Sequence, residues 1–299
     1  MNDIKKLSDE FAKAMQIGLA QEESRRAIAV KIVKYISDSV DQEDVAAMLF
    51  NKEYIPLGQT AEFAVPGKLK VYWHEPGSYA PRTQMVQKTF TIPTAMISAH
   101  LEYELGQLES GRYGSMQDQI AAAKEALLGA INAKAFNTLV GAVATTDKNY
   151  GTCDSMLTYN ALNSALNYVE DQVGGATAIV GRRNVLYQML NWGSTGSADT
   201  GIMSDAQKEA IFKGGKIPTY RGVPVIGLPQ WRDGFGKLTI DQDEIMIVGK
   251  DAGHYVVTQE LRSQDAIDVD SLYWHIHLYM RVGFSVFFKE RLFRLHITQ

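Results

Sequence analysis

The stretch Ser115–Val140, SMQDQIAAAKEALLGAINAKAFNTLV, decides how the rest of the chain is read. Ile120, Ala123, Leu127, Ile131, Ala135 and Leu139 recur at spacings of three and four, with Leu128 and Phe136 widening the stripe. That periodicity predicts one long amphipathic helix. Ser115, with Asp118 three residues on, can satisfy amide groups left open in a first helical turn. Gly141 is the expected stop. At about 1.5 Å per residue the span is about 39 Å, roughly twice an average globular helix. Such a rod is either a long core element or the brace of a thin, extended subunit.

Upstream, residues 3–50 are polar and helical in pattern. Ile4, Leu7, Phe11 and Met15 form one narrow stripe, and Ile28, Ile32, Ile36 and Val40 form another. No strand signal lies between them. The stripes therefore fold back on the main body or lie on a neighbour, and the pattern leaves both open. A coiled coil is disfavoured, because no seven-residue repeat is sustained.

From Gly58 to Ile97 the character changes to strands. AEFAV alternates, Pro66-Gly67 interrupts, and KLKVYW places Leu69, Val71 and Trp73 on one face. HEPGSYAPRTQ carries the turn residues Pro76, Gly77 and Pro81. QKTFTIP then alternates Phe90 and Ile92 against threonines. The result is a long two-stranded excursion, and an isolated hairpin is marginal in water. It either belongs to an ordinary sheet or needs something to lie on.

Downstream of the long helix, residues 145–255 read as an α/β module. TYNALNSALNYVEDQV is an amphipathic helix ended by Gly174-Gly175, ATAIV a short buried strand, and RRNVLYQMLNW another helix. The loop GSTGSADTG follows, then a short helix from Asp205 to Phe212, and the strands VPVIGL and EIMIV. A polar link from Gln259 to Asp270 precedes the aromatic end, SLYWHIHLYMRVGFSVFFKERLFRLHI. Its β-rich composition fits strands packed against the long helix, with a break near Lys289-Glu290.

Chemistry-bearing motifs fail one after another. There is no G-x-S-x-G, H-E-x-x-H or C-x-x-C, and FKGGKIPT and GFGKLT each lack defining positions of a nucleotide loop. Glu102, Glu104 and Glu109 read as a solvated face near the helix start rather than as paired acid–base groups. His275 and His277 would share a strand face and could reach one metal, with His100, His254 or His296 as a third ligand. Histidines hydrogen-bonded within a half-buried sheet are the preferred reading. No catalytic, cofactor-binding or metal residue is therefore assigned, and no cofactor. The loop Gly193–Gly201 could cradle an anion or be a mobile tip.

Composition narrows the function classes. With 45% hydrophobic and 21% charged residues the chain is of ordinary soluble type, and a formal charge of -4 argues against nucleic-acid binding as its main task. A single cysteine, Cys153, excludes an internal disulfide framework and fits a reducing compartment. The start MNDIKKLSDEF lacks signal-peptide character, and no apolar run is long enough to span a membrane. The expected location is cytoplasmic.

The order of these segments resembles the tailed-bacteriophage major capsid proteins of the Hong Kong 97 fold, over about Gly58 to Ile297. YWHEPGSYAPRTQMVQKTFTIPTAMISAHLEYELGQL is similar to that family's passage from extended loop into peripheral domain, with Trp73, Glu75, Gly77, Phe90 and Ser98 at matching places. ATAIVGRRNVLYQMLN and YRGVPVIGLP resemble its axial-domain segments, and RVGFSVFFKERLFRLHI its closing peripheral strands.

The resemblance implies an α+β fold in four parts: an N-terminal arm (1–57), an extended β-hairpin loop (58–95), a peripheral domain with the spine helix (96–145 and 255–299), and an α/β axial domain (146–254). It implies pentamers and hexamers of an icosahedral shell enclosing double-stranded DNA, located in the virion and assembled in host cytoplasm. Inter-subunit contacts are expected from Leu69, Val71, Trp73, Glu75, Gly77, Phe90 and Ile92 of the loop and from Ile4, Leu7 and Phe11 of the arm. A symmetry-axis loop is expected at Gly193, Gly196 and Gly201. About 57 residues precede the loop, so the partners expected besides self are a separate scaffolding protein, a portal and a decoration protein. The family's Lys–Asn crosslink is not carried over, since Lys68, Lys70 and Lys88 match no reactive position. Rival readings are an encapsulin nanocompartment, or a soluble α/β enzyme.

Overall fold

The computed structural model describes residues 22–65, 87–104, 114–172, 174–192, 219–232, 238–240, 243–268 and 273–298. The central rod is α3 (Gly114–Ala142, 29 residues), about 43 Å long by helical rise. All eight apolar positions that predicted it are buried, from Ile120 through Leu139. It starts one residue before Ser115 and runs through Gly141 rather than stopping there. The helix is covered from more than one side, which explains the unusually wide stripe.

One cover is a four-stranded sheet in the order β1-β10-β11-β4. Its strands are β1 (Asn51–Tyr54), β4 (Ala95–Glu104), β10 (Gly253–Asp268) and β11 (Tyr273–Val286). In β11 the alternation is strict: Trp274, Ile276, Leu278, Met280 and Val282 are buried toward the helices. Tyr273, His275, His277, Tyr279 and Arg281 point the other way, as a period of two requires. Here the structure adds one element and corrects one expectation. MISAHLEYE, in the segment leading to the long helix, is a strand, and Glu102 and Glu104 stand exposed on its sheet face. The polar link after Gln259 is strand as far as Asp268, paired along β11 with register shifts near Gln259.

The second cover is α1 (Glu22–Glu43), followed by α2 (Ala46–Leu49). Ile28, Ile32, Ile36 and Val40 are buried in the same core as α3 and β10. This stripe folds back on the chain's own body. Asn132 of α3 accepts a bond from the Ala46 amide, fixing the start of α2 to the rod. Beside it, burial pushes the Asp44 carboxyl above the usual range, with Lys52 pulling against that shift.

The third cover is one face of a six-stranded sheet in the order β5-β12-β9-β6-β8-β7. It comprises β5 (Tyr150–Asp154), β6 (Ala176–Arg182), β7 (Thr219–Tyr220), β8 (Val223–Leu228), β9 (Glu244–Gly249) and β12 (Leu292–Thr298). Val180, Met246 and Val248 face α3, whereas Ile179, Ile245 and Ile247 face α4 (Tyr159–Glu170) on the opposite side. Buried on both faces, β9 reads as an unbroken apolar run rather than an alternation. RRNVLYQMLNW forms only a short α5 (Arg183–Leu186) and a 3₁₀ turn.

The hairpin from β7 to β8 turns on Arg221 and Gly222, both at positive φ (51° and 83°). That is the geometry of a tight two-residue turn with the hand that sheets favour. Arg221 then reaches back to Asn167 and Glu170 of α4. The final strand β12 was expected to close the peripheral sheet with β11. It instead pairs with β9 and β5, because the 3₁₀ turn Lys289–Arg291 redirects the chain between the two sheets.

Candidate functional site

The strand excursion leaves the body as a separate two-stranded ribbon, β2 (Glu62–Val65) against β3 (Lys88–Thr91). Antiparallel register sets Phe63 opposite Phe90. Both rings meet Phe287, at 5.6 and 5.0 Å between centroids, and His254 fills the space between Phe63 and Phe287. Contacts of this kind add about 0.5–1.5 kcal/mol per pair beyond area burial. Immediately behind them, Ile92, Ala61 and Val256 form a small closed cluster, and the Ile92 amide donates to the Ala61 carbonyl. The ribbon is thus clamped at its root; residues 66–86, which connect β2 to β3, lie outside the described residues.

This geometry sorts the predicted contact residues. Phe90 is half-buried at the root. Ile92 is buried at 3% exposure within its own chain, where it packs on Ala61 and Val256. Leu69, Val71, Trp73, Glu75 and Gly77 lie outside the described residues, as do Ile4, Leu7 and Phe11 of the arm and Gly193, Gly196 and Gly201 of the glycine loop.

Gly283 of β11 is a further root residue that the sequence did not single out. A Cβ there would stand 2.6 Å from the Pro93 carbonyl and 2.9 Å from Ile92. Gly283→Ala must therefore push the β3–β4 segment off the sheet, at about 1–3 kcal/mol. Thermal melting should show the loss, and limited proteolysis should cut the variant faster near residue 93 than the parent.

A second constellation joins the six-stranded sheet to the end of α3. Arg294 of β12 binds the Glu244 carboxylate through two nitrogens, and a third donates to the Val143 carbonyl at 3.0 Å. The Glu244 side chain is 1% exposed, and His296 Nδ1 lies 3.0 Å from the same carboxylate. Buried Asn149 donates to the Lys289 and Leu292 carbonyls across the same junction. Trp231 packs against Gly129, where any Cβ would collide with the indole at 2.6 Å. Rod and α/β module are locked as one body.

The histidines considered as ligands separate between these places. His254 is in the ribbon root, with Nδ1 2.9 Å from Glu53, and His296 is in the joint. His275 and His277 share the outer face of the four-stranded sheet with His100 of β4. Cys153 is buried in the core of the α/β module. No helix among the described residues is long and apolar enough to cross a membrane.

The described residues thus comprise a rod, a four-stranded sheet, an α/β module locked to the rod and a separate two-stranded ribbon. The comparisons with known proteins agree. Residues 2–292 match the family described as "SPbeta prophage-derived putative capsid protein YonB". The chain belongs to the YonB capsid family. Among curated proteins, none matches this YonB-family chain.

Solved structures share its fold at low identity. A structure titled Microbacterium phage Oxtober96 superposes with a TM-score of 0.62 at 12% identity, covering 85% of this chain and 91% of that one. The capsid of Cyanophage P-SCSP1u gives 0.61 at 14%, covering 84% and 87%. A virus-like particle from Pyrococcus furiosus gives 0.54 at 16%, covering 89% and 98%. The YonB-family chain has the α+β Hong Kong 97 fold of phage capsid structural proteins.

Proposed function

We propose that this chain is the major head protein of a tailed phage, copies of which form the pentamers and hexamers of an icosahedral shell around double-stranded DNA. The observation that carries the reading is the ribbon β2–β3, which belongs to neither large sheet and, among the described residues, packs on the body at its root. A free hairpin of this kind is marginal in water, so its continuation through Leu69, Val71 and Trp73 calls for a surface to lie on. The neighbouring subunit supplies it. Contacts in which one patch meets a different patch on the next copy close into rings, as pentamers and hexamers require.

The arm residues Ile4, Leu7 and Phe11 then reach further neighbours, and Gly193, Gly196 and Gly201 surround the ring axis. Portal and decoration proteins complete the particle, which assembles in host cytoplasm. A net charge of -4 is compatible with enclosing DNA, since an inner wall does not need strong affinity for its contents.

The likeness to a virus-like particle from Pyrococcus furiosus favours one rival, a compartment that encloses protein. The contents decide between them. Purified shells treated with nuclease should retain long double-stranded DNA when taken from cells carrying the whole prophage. Shells that instead hold one stoichiometric enzyme and no nucleic acid would overturn the DNA reading.

A further inference from the structure

The outer face of the four-stranded sheet carries a group that neither the capsid fold nor the ribbon explains. His275 of β11 stands opposite Glu102 of β4, and His277 stands opposite His100. The rings of His100 and His275 lie diagonally across the strand pair with centroids 5.2 Å apart. One oxygen of Glu102, Oε1, lies 3.6 Å from His275 Nδ1 and 3.9 Å from His100 Nδ1. Ligand atoms of all three residues fall within 4.8 Å of one another.

Those distances discriminate between two kinds of contact. A hydrogen bond to a ring nitrogen needs about 2.7–3.2 Å, so 3.6 and 3.9 Å are too long. The His296–Glu244 pair in the joint, at 3.0 Å, shows what the bonded geometry looks like in this chain. Donor atoms that share one tetrahedral zinc ion, each about 2.0–2.1 Å from it, are spaced about 3.3 Å apart. The Glu102 oxygen lies a few tenths of an ångström outside that spacing from each of the two imidazole nitrogens, and all three ligand atoms stay within 4.8 Å of one another, within reach of rotamer adjustment. His275 Nδ1 is also shielded from solvent without a hydrogen-bond partner among the described residues. A neutral ring nitrogen in that position keeps a lone pair that a bound cation would engage.

We propose that His100, Glu102 and His275 form a binding site for one divalent transition-metal ion of the zinc type, with water completing the tetrahedron. Two imidazoles and a carboxylate are a donor set that such ions prefer over calcium or magnesium, which favour oxygen ligands. The bound ion staples β4 to β11. Because β4 is an edge strand that runs from the ribbon root into the approach to α3, the staple stiffens the path between ribbon and rod. Preformed on a paired strand register, the site loses little entropy on binding.

The test is titration of the metal-free full chain with Co²⁺, followed by its visible absorption, and with Zn²⁺, followed by melting. The expected result is about one tightly held ion per chain with tetrahedral Co²⁺ absorption, and a melting point raised by several degrees with Zn²⁺, as ligand linkage requires. Glu102→Gln and His275→Ala should each lower affinity at least tenfold. Glu104→Gln, two residues on along the same face, should leave it unchanged. Glu102 is 56% exposed, so its variant should fold like the parent, and melting without metal verifies that. No tetrahedral absorption, or binding that survives both substitutions, would overturn the site.

Discussion

Arg294→Ala is expected to destabilise the subunit by roughly 3–5 kcal/mol, the range for removing one partner from a buried ion pair. Glu244, 1% exposed, would be left buried with only His296 beside it. The last carbonyls of α3 would lose their guanidinium donor at the same time. Urea unfolding should show the midpoint falling with little change in slope. The paired replacement Arg294→Met with Glu244→Leu should recover most of the loss, since an apolar pair of similar volume leaves no charge stranded. It should not recover all of it, because the helix end remains uncapped. A single-variant loss below about 1 kcal/mol, typical of exposed pairs, would mean that the joint is not a lock.

Removing residues 66–86 and bridging Val65 to Gln87 with a short turn is expected to abolish shell assembly while leaving the fold intact. The deletion spares β2, β3, the Phe63–Phe90–Phe287 root and all the core residues named among the described ones. Circular dichroism and melting should therefore match the parent closely. Sedimentation should change completely, from shells to free subunits or small rings. A milder form, Trp73→Ala with Val71→Ala, should slow assembly and raise the concentration it needs. Normal shells from the deletion would remove the ribbon from the account of how neighbours are held.

The long helix was legible because a 3.6-residue period over 26 positions is hard to imitate, and tertiary burial only widened its stripe. Strand β4 was given no element in the sequence reading, although Ile97, Ala99, Leu101 and Tyr103 alternate cleanly with polar residues. Three nearby glutamates drew attention to solvation, and the pairing with β11 that buries one face lies far along the chain. The Gln259–Asp268 strand looked like a link because its outer face meets solvent and its register slips twice. The joint carried no local signal, since Glu244 and Arg294 are 50 residues apart and meet only through β12 crossing into the second sheet. His275 and His277 were rightly placed on one face, but the closer cross-strand partners proved to be His100 and Glu102. Only strand register reveals such a cluster.

One measurement addresses the central claim most directly: electron microscopy of the purified full chain, with sedimentation of the same sample. Closed, evenly sized shells built from five- and six-fold rings are the predicted result. A monodisperse monomer at micromolar concentration that forms no ring or shell under assembly conditions would contradict it.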